Sequence, residues 1–373
     1  MMVYLDNAAT TPILPEVGDT MKEMIDNVFG NPSSIHEYGR KANVVIEESR
    51  RTIASCLNVP ATSIFFTSGG TEANNTILTS AFRDLKIKRF VTSPLEHPAI
   101  LNTLEGLSRY YQADYAFVDV DNNGHIDLQH LEFLLKNQPK SLVSLMHANN
   151  EIGNLLPVKE VSQVCRKYNA LFHSDTVQTI GKFRVDFLSS GFDFASCSAH
   201  KFHGPKGVGF MYVAQGNKLK PFLMGGGQER GMRAGTENIY GIAAMATALK
   251  LAYDQADERL KTIKGLRTHF IQKATSLIPD IRFNGDAHGS CLPHIINFSL
   301  PKSPRSEMLL FNLDISGFAV SGGSACASGE HKGSHVLHAM GIDSQDPVIR
   351  VSFSHLNTIH EIDAFLEILI GKM

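Results

Sequence analysis

The sequence predicts an α/β fold built on a mainly parallel sheet, and two observations carry that expectation. From about residue 60 to 215, short apolar runs alternate with longer stretches of helical periodicity, the pattern of strands joined by crossover helices. Each of the first five runs also ends in a polar cluster. In open α/β sheets, ligands bind in the crevice beyond the carboxyl ends of the strands.

The runs read as strands are SIFF (63–66), KRFVTS (88–93), SLVSLMH (141–147), NALFHS (169–174), FDFASCS (192–198) and VGFMYV (208–213). The clusters after the first five are TSGGTEANN, EHP, ANNE, DTVQ and AHK. Thr71, His97, Asn150, Asp175, Gln178 and Lys201 are therefore expected to meet at one edge of the sheet. Residues 239–278 have helical periodicity and few breakers, and read as one or two long helices leading out of the first domain. A smaller α+β domain is expected to follow, with strands HIINFSL (294–300), AVSGGS (319–324) and VIRVSF (348–353) and the first residues of the chain beside it.

Composition narrows the function classes. A chain of 373 residues with 43% hydrophobic content has room for about two domains and a substantial core. Thirty-five basic against 37 acidic residues leave no general field for nucleic acid or an anionic membrane. The N-terminus MMVYLDNAATTP has no basic segment followed by an apolar run, and no segment has the length of a membrane span, so the expected location is cytoplasmic. The five cysteines are scattered and contain no CxxC pair, which argues against a disulfide framework or a structural zinc site.

Several motifs carry chemistry. In TSGGTEANN, paired glycines and a helix start suit an anion, most naturally a phosphate; taken alone, the segment also reads as a tight strand-to-helix turn capped by Thr71. VDVDNNGHID opens like a calcium loop at Asp119, Asp121, Asn123 and Gly124, but its twelfth position is His130 where a bidentate carboxylate is needed, so it reads as a polar turn. His97 and Asp175 read equally well as a surface histidine and a helix cap until their shared position at strand ends is considered. A buried carboxylate there needs a cationic partner, such as the protonated ring nitrogen of a cofactor. Lys201 stands between His200 and His203 in SAHKFHGP. Desolvation favours its neutral amine, which attacks aldehydes. A phosphate cradle, a lysine and an aspartate together imply pyridoxal 5'-phosphate (PLP); a metal on His200 and His203 fails for lack of further ligands. Cys326, in SGGSACASGEHKGSH, lies among Gly and Ser with His331, Lys332 and His335 nearby, which suits a reactive thiol on a mobile loop.

With these motifs in hand, the sequence closely resembles the cysteine desulfurases of the NifS/IscS type, in the class V aminotransferase family of fold-type I PLP enzymes. YLDNAATTP, NPSSIH, TSGGTEANN, EHPAI, NNEIGNLLPV, HSDTVQTIGK, SAHKFHGPKGVGF, GGGQERGMRAGTENI, SGGSACASG and IRVSF occur in the family's order over nearly the whole chain. The resemblance implies a large PLP-binding domain (15–255), a small domain (256–373 with 1–14) carrying the cysteine loop, and a homodimer. It implies Lys201 as the lysine that tethers the cofactor, Asp175 as partner of the pyridinium nitrogen, and Gln178 and Asn150 as contacts to the ring and its phenolic oxygen. His97 would stack on the ring and move protons; Gly70, Thr71, Ser198 and His200 would hold the phosphate, and Thr236 would reach the neighbouring subunit's cofactor. Arg350 would bind the carboxylate of L-cysteine with Asn150 nearby, and Cys326 would accept the sulfur as a persulfide, leaving L-alanine. The sulfur would pass on to an acceptor such as an iron-sulfur scaffold or a tRNA-thiolation protein. A selenocysteine lyase or another class V aminotransferase is the nearest rival activity, and a non-catalytic sulfur-relay platform the rival from another class. Two stretches depart from the family pattern: Ser354 and His355 follow IRVSF, and ACASG replaces the commoner ACTS.

Overall fold

The computed structural model describes residues 2–304, 306–322, 333–342 and 346–373. A short first strand, β1 (Val3–Tyr4), precedes the strands of the main sheet: β2 (Ile64–Thr67), β3 (Arg89–Thr92), β4 (Asp114–Phe117), β5 (Ser141–Ser144), β6 (Leu171–Asp175), β7 (Phe194–Ser198) and β8 (Gly209–Val213). Their order across the sheet is β2-β8-β7-β6-β5-β3-β4. β8 runs antiparallel to both of its neighbours; the other pairs are parallel.

Consecutive residues of a strand point to opposite faces, and here both faces are apolar. Phe65, Phe90, Leu142, Leu171 and Phe194 belong to one core, while their chain neighbours Phe66, Val91, Val143, Phe172 and Ala195 belong to another. Continuous apolar runs rather than alternation are what a sheet covered by helices on both sides requires. This is why six of the seven strands stand out in the sequence. β4 is the exception: it lies at the edge and is half exposed, so it carries no such run.

The helical segment after residue 238 is two helices, Ile239–Asp254 and Ala256–Leu277. The first is buried on most of its circumference in the core of the main sheet. The second packs through Leu266, Phe270 and Ala274 on a separate core that includes Leu5, Phe298, Val351 and Phe365. That core is built on the antiparallel strands β9 (Arg282–Asn284), β10 (Ile295–Ser299) and, after the two-residue β11 (Phe318–Ala319), β12 (Val348–Ser352), in the order β12-β10-β9. The chain's start joins this unit, because β1 pairs with β11 and Asp6 bridges to Ser352. The last helix, Ile359–Lys372, is fixed at its start by a capping box of Thr358 and Glu361.

The calcium-like stretch is a turn. Asp121 Oδ1 accepts hydrogen bonds from the amides of Asn123 (2.9 Å) and His125 (2.8 Å), and Val120 bridges to Ile126. The Asp side chain thus serves its own backbone.

Candidate active site

The residues expected to converge do so. Gly70, Thr71, His97, Asn150, Asp175, Gln178, Ser198, His200, Lys201 and Arg350 all line one cavity of about 430 Å³ at the carboxyl ends of β2, β3, β5, β6 and β7. Thr236 does not; it lines a separate pocket with Ser68, Gly207 and Glu237. Cys326 lies outside the described residues.

Each wall has a local cause. β7 ends at Ser198 and turns at once through Ala199–Lys201, which points Lys201 back over the sheet edge. Its Nζ donates to the carbonyls of Ala8 (2.7 Å) and Ala9 (2.8 Å). The N-terminal loop is clamped to the same turn, since Thr11 donates through N and Oγ1 to the His200 carbonyl (both 2.9 Å) and accepts from the His203 amide (2.7 Å). This loop lines the cavity at Ala8 and Ala9, whose carbonyl oxygens hold the lysine. No side-chain pattern announces such a role.

Asp175 closes β6 and is 6% exposed. Oδ1 accepts from the Val177 amide (3.0 Å) and Oδ2 from Asn74 Nδ2 (2.7 Å). Asn74 went unnoticed in the sequence although it sits three residues past Thr71 on helix Gly70–Asp84, the spacing that shares a helix face. That helix begins after Gly69, whose φ of 152° suits glycine alone, and no side chain caps it. Thr71 is therefore not the cap; it faces the cavity. A Cβ on Gly70 would come within 2.6 Å of Val177 Cγ2, so only glycine lets the helix start approach so closely.

His97 is the N-cap of helix Pro98–Tyr111, its Nδ1 accepting from the Ala99 amide at 3.1 Å. That bond assigns the neutral ring's proton to Nε2. Burial holds the His97 pKa below the ordinary 6.5; Lys201 and His335 push it the same way, against Asp175. His200 is lowered further, to about 4, by burial and by Lys201 and Lys206, and its Nδ1 lies 3.1 Å from Thr10 Oγ1.

The loop after β5 is shaped by Asn149, whose Oδ1 accepts from the amides of Glu151 (2.8 Å) and Ile152 (3.0 Å). This presents the Asn150 carbonyl to Arg350 Nη1 at 3.0 Å. Arg350, on β12 and 3% exposed, also donates from Nη2 to Asp6 Oδ1 (2.7 Å) and Ser321 Oγ (3.2 Å). Its Nε is buried without a hydrogen-bond partner among the described residues. The departures at Ser354 and His355 lie elsewhere. His355 packs edge-on against His203 at 5.0 Å, and the Ser354 amide donates to Asn357.

The aminotransferase class-V family model matches residues 3–365. Cysteine desulfurase IscS of Dictyoglomus turgidum is 40% identical over 371 residues, covering 98% of this chain and 93% of the relative. The chain belongs to the cysteine desulfurases of the class V aminotransferase family. A solved NifS-like protein superposes on this desulfurase with a TM-score of 0.92 at 37% identity, covering all of this chain and 99% of the other. A structure described as SspA in complex with cysteine has a TM-score of 0.81 at 28% identity and covers 95% of this chain and 99% of that one. Desulfurases of this family depend on PLP.

The cavity fits that group. Gln178 holds one end of its amide on the Ala8 carbonyl (3.0 Å) and leaves Oε1 buried without a partner among the described residues. An uncapped helix start, a buried carboxylate and a lysine amine stand around the same space. Among the described residues, no group of three or more His, Cys, Asp or Glu is arranged to hold a metal.

Proposed function

We propose that this cavity carries out desulfuration of L-cysteine with PLP held by Lys201, and that Cys326 receives the sulfur. The observation that supports it best is that the Lys201 amine, the Asp175 carboxylate and the uncapped start of helix Gly70–Asp84 face one cavity. Gly70, Thr71, Ser198 and His200 would hold the phosphate. Asp175 would face the ring nitrogen, and Asn150 and Gln178 the ring and its phenolic oxygen. When bound, PLP supplies an electron sink for charge developing at the substrate's α-carbon.

The chain's own residues do the rest. Arg350 is already oriented by Asn150, Asp6 and Ser321, so it offers L-cysteine's carboxylate a fixed positive charge and the donors that these bonds leave, with little ordering left to do. The protein described as binding cysteine supports that substrate. His97, whose pKa burial holds down, accepts and returns protons at Nε2 in the tautomer that carries its hydrogen on Nδ1, giving up the bond from the Ala99 amide to do so. Cys326 thiolate forms an S–S bond to the substrate sulfur as the substrate's Cβ–S bond breaks. The electron pair stays on that carbon, which takes a proton to become the methyl of L-alanine.

The two separate cores and the helix break at Gln255 support domains at 15–255 and 256–373 with 1–14. Thr236, away from this chain's cavity, fits a homodimer in which it serves the neighbouring cofactor. The chain leading to it is anchored at Glu229, which binds Arg50 through both carboxylate oxygens (2.8 and 2.9 Å) and accepts from the Phe66 amide. The persulfide would pass to an acceptor protein of an iron-sulfur scaffold or tRNA-thiolation kind. No described helix is long and apolar enough to cross a membrane, and a cytoplasmic setting fits such acceptors.

Borohydride reduction of the PLP-loaded protein, followed by peptide mass mapping, should find the pyridoxyl adduct on Lys201. Lys182 is the informative competitor: burial first, then Lys201 and Arg259, bring its amine down to about 7, but it does not line the cavity. An adduct there, or none on Lys201, would overturn the reading.

A pH profile tests His97. A base must be unprotonated to work, and a depressed pKa keeps it so to lower pH. The acid limb of kcat/KM for L-cysteine should therefore have its midpoint below pH 6.5 and vanish in His97→Gln, with activity down about a hundredfold. An unchanged limb in that variant assigns the titration to another group.

A further inference from the structure

Ser334 and His335, which follow Cys326 by eight and nine positions, are bonded to the cavity's own loops. Ser334 Oγ donates to Glu151 Oε2 at 2.5 Å and accepts from the Leu337 amide at 3.1 Å, so it both caps helix His335–Ala339 and grips a carboxyl that is 3% exposed. The next residue, His335, places Nε2 2.9 Å from the Glu96 carbonyl and itself lines the cavity. Glu151 follows Asn150, and Glu96 precedes His97. The contact is sealed by apolar neighbours: Leu95 and Ile152 pack with Val336, Leu337 and Met340. Burial raises the Glu151 carboxyl above the usual carboxylate range, and the Ser334 bond is the largest effect opposing this.

This helix lies between β11 and β12 in the chain, yet these bonds tie it to the loops that supply Asn150 and His97. Ser334 stands eight positions after Cys326. We propose that Glu151 is a positioning residue for sulfur transfer: through Ser334 it fixes against the cavity the point eight residues after Cys326, and so acts on the step in which Cys326 takes the sulfur rather than on the binding of L-cysteine. This rests on Cys326 being the sulfur acceptor.

The test separates the two steps in the PLP-loaded enzyme. The absorbance change of the cofactor on mixing with L-cysteine reports substrate binding, and mass analysis after rapid quenching reports persulfide on Cys326. Ser334→Gly keeps a good N-cap residue but removes the hydroxyl that serves Glu151. It should leave the absorbance change within about twofold and slow persulfide formation about tenfold, the scale of losing a hydrogen bond to a buried charged group. Ser334→Thr should restore the rate to within about threefold, since it keeps the hydroxyl. Persulfide forming at the wild-type rate in Ser334→Gly would overturn the inference, as would equal loss of both steps. Should that variant not load cofactor, Glu151→Leu, which leaves the Ser334 cap in place, carries the same comparison with the same outcomes. If Cys326→Ser still accepts sulfur, the reading beneath falls; if it does not while Ser334→Gly transfers at full rate, only this inference falls.

Discussion

Lys201→Ala should lose turnover of L-cysteine by at least about a thousandfold, equivalent to about 4 kcal/mol of transition-state stabilisation. The amine is held by the Ala8 and Ala9 carbonyls, so its removal deletes both the tether for an aldehyde and a donor to each of these oxygens. Ala8 keeps its bond from Gln178 Nε2, so the stability cost falls on the part-buried Ala9 carbonyl, on the order of 1 kcal/mol, and thermal unfolding measures it apart from activity. A small exogenous amine such as methylamine should recover part of the rate if the amine is what the reaction lacks. Activity above a tenth of wild type, with the fold intact, would remove Lys201 from its assigned role. Alanine release from L-cysteine is the assay.

Cys326→Ser should abolish persulfide on the enzyme and cut sulfide and alanine release from L-cysteine by about a hundredfold or more, because a hydroxyl at this position cannot act as thiolate. The other four cysteines offer no substitute. Burial raises the Cys197 thiol well above its ordinary value and pushes Cys165 up to about 12 and Cys56 to about 11; Cys291 is raised as well. Each therefore stays protonated near neutrality, the inert state of a structural cysteine. Binding of L-cysteine, followed by the cofactor's absorbance, should be unchanged in the variant. Desulfuration at the wild-type rate would show that the sulfur takes another route.

The main sheet and most of the cavity were legible because their signals are local. A central strand buried on both faces announces itself as an apolar run, and the polar cluster after it marks the ligand edge, which is how His97, Asp175 and Lys201 were found together. What escaped had no such signal. β4 and β9 are edge strands with exposed positions, so their composition is mixed. Ala8 and Ala9 contribute carbonyls, which every residue has. Asn74 was inside a recognised motif, but its role, bracing Asp175, depends on a partner 101 positions away. Glu151 and His335 gain their roles from contacts across the fold, and no spacing encodes them. Thr71 looked like a cap because Thr is favoured there, whereas the chain uses Gly69 to bring the helix start nearer.

The bonds between the chain's beginning and its end also govern when the pocket can exist. Asp6 holds Arg350, the Asn7 and Ala8 amides donate to Ser352, and Ala8 and Ala9 hold Lys201 in the middle of the sequence. On the ribosome, the nascent chain can stack its first strands and helices as they emerge, but the wall containing Arg350 is missing until β12 has emerged. Complete assembly of the catalytic chamber therefore waits on a strand whose Arg350 lies 344 residues behind the Asp6 that it meets.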